Sequence, residues 1–138
     1  MKLRIRANTL RLRLVRAEVD QLLASGETRE AMPALGGALD YVFALGDVAT
    51  ASAELKTSAA GAELRVTWPR AEATAWAQDP RAVGMRATVA LPATATTTAA
   101  AGELSLLVEK DFPCLVVREG EDDSDAFARP EDLPPAAC

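Results

Sequence analysis

The chain contains no histidine. Imidazole is the commonest general base and the commonest protein metal ligand. Its absence excludes Ser-His-Asp and Cys-His catalysis and every zinc site that uses histidine. Cysteine is nearly as scarce, with Cys114 and Cys138 the two in 138 residues. That is too few for a disulfide framework or a zinc ribbon of paired Cys-x-x-Cys steps. Aromatic residues make up 4% of the chain, so large core volume falls to Tyr41, Phe43, Trp68 and Trp76 together with Leu, Val and Ile. No apolar run approaches the roughly 20 residues that a bilayer span needs. The basic start alternates Leu with Arg and lacks the apolar centre of a signal peptide. The expectation is a cytoplasmic chain with no membrane partner.

What the sequence does have is alternation. Leu3, Ile5 and Ala7, then Leu10, Leu12 and Leu14, are interleaved with Lys2, Arg4, Arg6, Arg11 and Arg13. Period two is the signature of a strand with one apolar face. A two-residue turn at Asn8-Thr9 would make a hairpin with Arg4 opposite Arg13, Arg6 opposite Arg11 and Ile5 opposite Leu12. One face of that hairpin is apolar and the other basic. A helix follows over 16–25, with Val19, Leu22 and Leu23 as its stripe and Gly26 as its stop. Extended runs near 28–32 and 39–45 join around Gly36-Gly37, which reads as a hairpin turn and not as a phosphate loop.

The same grammar recurs 54 positions later. Leu10-Arg11-Leu12 through Ala17-Glu18 returns as Leu64-Arg65-Val66 through Ala71-Glu72. Runs near 49–57 and 62–68 flank Gly61. A helix then opens at Pro69, carries Ala73, Trp76 and Ala77 as its stripe, and stops at Asp79-Pro80. Strands near 82–91 and 103–110 complete the unit, and Pro92 to Gly102 is an uncharged Ala/Thr loop. The fold class expected is α+β, with two fused β-hairpin–helix–β-hairpin units, about 1–46 and 47–117. They would form one pseudo-two-fold barrel or a strongly curved antiparallel sheet with two helices. Residues 118–138 read as an acidic, Pro-rich tail packed through Phe127 and Leu133.

The net charge of −5 is unevenly spread. Six cations precede the first acid, Glu18, whereas Glu119, Glu121, Asp122, Asp123 and Asp125 crowd the other end. A mildly acidic chain with no exposed aromatic series argues against nucleic acid. Like charges facing each other on Lys2, Arg4, Arg6, Arg11 and Arg13 are unfavourable without an anion. Either neighbouring acids such as Glu54, Glu63, Glu103 or Glu109 neutralise them, or they dock an acidic partner, which could be the chain's own tail, or they hold phosphate or nucleic acid. The other chemistry-bearing group is Cys114, Asp122, Asp123, Asp125 and Cys138. Thiolates and carboxylates could hold a divalent metal, although the spacing matches neither a zinc ribbon nor a Ca²⁺ loop. The two cysteines could also form a disulfide or thiol switch.

Several stretches resemble a family of short, uncharacterised bacterial proteins, a domain of unknown function. Met1 to Asp20 resembles its Leu-Arg-Ile-Arg, Leu-Arg-Leu-Arg-Leu opening. Val108-Glu109-Lys110-Asp111-Phe112 with Cys114 resembles its late strand, Asp122 to Pro130 its acidic tail, and Cys138 its terminal cysteine. The chain departs from that pattern with Ala7 for glycine, Val15 for a helix-capping threonine, and Arg129-Pro130 for Asn-Pro. The resemblance implies no activity. The reading favoured is a non-catalytic binding or accessory protein with a protein partner on its basic hairpin and no resident cofactor. The alternatives are a metal-binding or thiol-redox protein using the C-terminal group, and a small enzyme with histidine-independent carboxylate or arginine chemistry.

Overall fold

The computed structural model describes residues 1–34, 36–91, 102–113 and 124–130. Eight strands and two helices follow one another as β1 (Lys2–Arg6), β2 (Thr9–Leu14), α1 (Arg16–Ser25), β3 (Glu27–Ala34), β4 (Gly37–Gly46), β5 (Ser52–Ser58), β6 (Gly61–Pro69), α2 (Arg70–Gln78), β7 (Gly84–Ala90) and β8 (Glu103–Lys110). The alternating runs become strands because period two sends every second side chain to one face. Helix α1 begins where alternation ends and stops at Gly26, whose φ of +86° is the left-handed turn that closes a helix.

The strands form two four-stranded sheets, β1-β2-β8-β7 and β3-β4-β6-β5. Neither closes into a barrel, and neither is wholly antiparallel: β2 runs parallel to β8 and β4 parallel to β6. The expected single barrel or antiparallel sheet is thus replaced by two mixed sheets. The reason is the path of the chain. Each helix carries it from one sheet to the other, so the hairpin before a helix cannot pair with the hairpin after it.

Leu10, Leu12, Leu14, Met85, Leu106 and Val108 from the first sheet share one core with Phe43, Leu45, Val66 and Trp68 from the second. Val19 and Leu22 of α1 and Ala73 and Trp76 of α2 complete it. At an offset of 54, Leu12, Leu14, Val19 and Leu22 correspond to Val66, Trp68, Ala73 and Trp76, and all eight are buried. Where α1 contributes Val and Leu, α2 contributes Ala and Trp. Small and large positions are exchanged, and both helices still lie against the core. Tyr41 of β4 donates its hydroxyl to the Met1 carbonyl at 3.1 Å, and the Met1 nitrogen meets Glu30 of β3 at 2.7 Å. Burial, with the Glu30 charge beside it, pushes the Tyr41 hydroxyl above its ordinary range.

The first hairpin turns one residue earlier than expected. Ala7 and Asn8 form the loop, and the register is Arg4 to Arg11, Lys2 to Arg13 and Ile5 to Leu10. Thr9, being β-branched, extends the strand, while Ala7 takes the positive φ (+47°) that a tight hairpin turn demands. The family resemblance places a glycine at this position. Each pairing shifts by two, an even step, so every side chain keeps its face.

Candidate functional site

Cross-strand registers place the first sheet's outward side chains in three rows. One row is Arg6, Thr9, Ser105 and Thr88; the next is Arg4, Arg11, Leu107 and Arg86; the third is Lys2, Arg13, Glu109 and Gly84. All five cations singled out in the sequence (Lys2, Arg4, Arg6, Arg11 and Arg13) therefore share one face. Arg86 of β7 joins them from the opposite edge. No feature local to β7 marks Arg86 as part of this group, because only the pairing of β7 with β8 brings it there.

Neutralisation of this face is one-sided. Arg11 donates to Glu109, with Nε at 2.7 Å from Oε2. Arg13 lies 3.7 Å from Glu109 and 4.0 Å from Asp111, and Lys2 Nζ is 2.9 Å from Asp111. Asp111 is 3% exposed and absorbs the Lys2–Arg13 repulsion. Of the acids expected to do this work, Glu109 does so. Glu54 and Glu63 lie on the second sheet, paired with Lys56, Arg29 and Arg65. Glu103 is exposed at the far end of β8 and makes no ion pair among the described residues. Asp111 was missed, although its spacing of two from Glu109 is the signal that puts both on one face.

At the turn end of the hairpin the balance fails. Arg4, Arg6 and Arg86 are exposed, and among the described residues no carboxylate lies within ion-pairing distance of them. Arg4, Arg6, Thr9 and Arg11 surround an open depression of about 220 Å³ whose remaining wall is Leu107. The second sheet's outer face behaves differently. There Arg29 meets Asp40 at 3.1 Å and Glu63 at 2.9 Å, and Arg65 meets Glu27 at 2.9 Å and Glu63 at 3.0 Å. Hydrogen bonding to Arg65, reinforced by Arg29, holds the Glu63 carboxyl below its ordinary range. One outer face is a closed lattice of opposite charges; the other, among the described residues, is left cationic.

The C-terminal group is only partly placed. Cys114, Asp122, Asp123 and Cys138, like Leu133, lie outside the described residues. Asp125 is described, and it caps the start of α1. Its Oδ2 accepts the Ala17 N–H at 3.1 Å and its carbonyl accepts the Arg16 N–H at 3.0 Å. These are orphan donors of the first turn of α1. Val15 at the N-cap has no side-chain oxygen to offer them, and Glu18 returns to the Val15 N–H at 2.9 Å while its other oxygen takes the Met1 ammonium. A residue more than a hundred positions away thus supplies the missing cap. Replacing Asp125 with Ala is expected to cost about 1 kcal/mol, with Asn keeping part of it. Urea unfolding measures this; an unchanged midpoint for the alanine variant would show that the cap is not formed.

Phe127, the expected tail anchor, is half-buried against the core. Its N–H donates to the Asp111 carbonyl at 2.9 Å, and its ring stands edge-on to Phe112 at 6.3 Å. Beneath it lies the one buried lysine. Lys110, 3% exposed, continues the inward series Leu106, Val108 and places its ammonium 5.5 Å from the Trp76 ring and 5.4 Å from the Phe127 ring. Nζ donates to the Asp79 carbonyl at 2.5 Å, which also accepts the Ala82 N–H. Burial lowers the Lys110 pKa, opposed by Asp79.

The sign of the resulting pH dependence is fixed by that direction. Below the native pKa both states carry the charge, and the fold bears the cost of burying it. As pH rises from the native pKa toward the unfolded value near 10.4, unfolding takes up a proton and stability increases. Tyr41 acts oppositely, so the informative comparison is with Lys110→Met and not with the raw profile. The variant should unfold within about 1 kcal/mol of the parent at neutral pH, because Asp79 keeps a donor and the burial cost disappears with the cation attraction. It should also lack the alkaline rise attributable to Lys110. Identical pH slopes for the two proteins would contradict this.

A family model described as a family of unknown function (DUF7009) matches residues 1–131, and the chain belongs to that family. Comparison with curated proteins and with solved structures gives no match.

Proposed function

We propose that this member of the family is a non-catalytic binding protein whose cationic outer face, on the sheet β1-β2-β8-β7, receives an acidic protein partner. The observation that carries the reading is the set Arg4, Arg6 and Arg86, arranged around Leu107 with no acid beside them among the described residues. Exposed guanidiniums side by side repel, and a carboxylate-bearing partner relieves that repulsion while Leu107 offers apolar contact between them. An acidic peptide fits better than a polynucleotide. The outward rows hold no aromatic ring for base stacking, and the net charge of −5 repels a long polyanion. A local acidic segment meets only the basic face.

We read the two hairpin–helix–hairpin halves as a duplicated unit related by an approximate two-fold. Support comes from the orders β1-β2-β8-β7 and β5-β6-β4-β3, which correspond element by element, and from the matched burial at an offset of 54. In this reading the halves share a scaffold and differ at the surface: one sheet's charges are paired off and the other's are kept for binding.

Fluorescence anisotropy with a labelled Glu-rich peptide tests the binding reading. Arg4→Gln combined with Arg6→Gln should weaken binding about tenfold, since each rim charge pair is worth up to roughly 1 kcal/mol. The parent's affinity should fall with added salt. Equal affinity for the two proteins would refute the assignment.

A further inference from the structure

The cationic face ends at β1, and among the described residues β1 is an edge strand. In a hairpin with a two-residue loop the pair next to the turn, here Arg6 and Thr9, is the narrow hydrogen-bonded one. Lys2, Arg4 and Arg6 therefore direct their backbone groups toward β2, and Leu3 and Ile5 direct theirs outward along the free edge. The same alternation gives β1 two unlike sides. Arg4 and Arg6 are exposed on the outer face, while Ile5, whose side chain belongs to the inner face, is 62% exposed. An apolar residue on the core side of a strand is left that open when no strand lies beyond it.

We propose that an extended acidic segment of the partner adds to the first sheet as a fifth strand alongside β1, its residues alternating acidic and apolar. This rests on the acidic-partner reading and specifies how that partner binds. Backbone groups of Leu3 and Ile5 supply the ladder, and alternate carboxylates reach Arg4 and Arg6. The intervening apolar side chains cover Ile5. Strand addition draws affinity from main-chain hydrogen bonds and specificity from alternate side chains, and β1 offers both.

The other three edges are less suited. Strand β3 carries Pro33, which cannot donate to a ladder. On β5, Glu54 and Lys56 satisfy each other at 3.2 Å, and β7 presents a single outward cation, Arg86. The charges on β1 also decide against a second copy of this chain. Pairing β1 with β1 would set arginine and lysine against their own kind, an arrangement that natural edges use to prevent self-association. The feature that rejects a copy selects an acidic strand.

The test uses the full chain and short synthetic peptides alternating Glu and Val. Its controls are a peptide of the same composition with the glutamates clustered, and two N-methylated forms, each blocking one set of alternate amides. A strand at an edge uses one set only. One N-methylated form should lose about tenfold in affinity, as expected for two or so lost backbone hydrogen bonds, and the other should bind as well as the parent peptide. The clustered control should be weaker than the alternating peptide. Equal binding of all four peptides would overturn strand addition while leaving the basic face as an acid-docking surface. Failure of every acidic peptide to bind would overturn both. Ile5→Pro supplies a second arm, because its lost N–H points outward and no bond to β2 is removed. It should weaken the alternating peptide and spare the clustered one, and an equal effect on both would count against the proposal.

Discussion

Trp68→Ala is expected to lower the unfolding free energy by about 3–5 kcal/mol, a large share of the total for a domain of this size. Trp68 is wholly buried and its ring stands edge-on to Phe43 at 6.4 Å. It occupies the last inward position of β6, beside Leu45 of β4, where Leu14 sits in the first half. In a chain with so few aromatics, no neighbour is large enough to fill the space it would leave. Trp68→Phe should cost less, because the edge-on contact can survive and the indole N–H, which has no partner among the described residues, is removed. Urea unfolding of the three proteins provides the comparison. A loss below about 1 kcal/mol for the alanine variant would mean that the core tolerates a void there, against the packing described.

Gly61→Ala is expected to be comparably damaging for a different reason. Gly61 begins β6 with φ of +146°, and a Cβ there would lie 2.1 Å from the Ala38 carbonyl oxygen. Ala38 pairs with Gly61 at the start of the parallel ladder β4–β6. The collision is with backbone, so relief requires the two central strands to separate at that end. A cost of at least about 3 kcal/mol follows. Gly36→Ala is the matched control. Its φ of +82° is also left-handed, yet nothing among the described residues lies within 4 Å of the added carbon, so only the conformational term of about 1–2 kcal/mol applies. Similar midpoints for the two variants would show that backbone conformation alone, and not close approach, makes Gly61 necessary.

Much of the local structure was legible because each element announces itself over a short span. Helix α1 and strand β8 fall on the residues where alternation stops or starts, with Gly26 closing the helix. The inward set Leu10, Leu12 and Leu14 follows from parity alone, and so does the shared face of Lys2, Arg4, Arg6, Arg11 and Arg13. Parity survives a misplaced turn, which is why those faces held while the partners of Arg4 and Arg6 changed. Partnerships between distant segments were not legible. The parallel pairing of β2 with β8 joins residues nearly a hundred positions apart, and alternation says nothing about which strand lies alongside. For the same reason Arg86 was not assigned to the cationic face, nor Asp111 to its neutralisation. Asp125 looked like one of a group of tail acids. Its use as the cap of α1 depends on Val15 lacking a side-chain oxygen and on Phe127 holding the segment against Asp111.

On the proposed function the two outer faces differ in purpose, one closed by its own ion pairs and one left open for an acidic partner. Backbone amide shifts recorded by NMR during titration with a Glu-rich peptide test this most directly. Salt-sensitive shifts are expected on β1, on the turn at Ala7-Asn8, and on the outward rows of β2, β7 and β8. The strands β3 to β6, where Arg29 and Arg65 are already paired, should stay unmoved. Shifts centred on the second sheet, or no shifts at low salt, would contradict it.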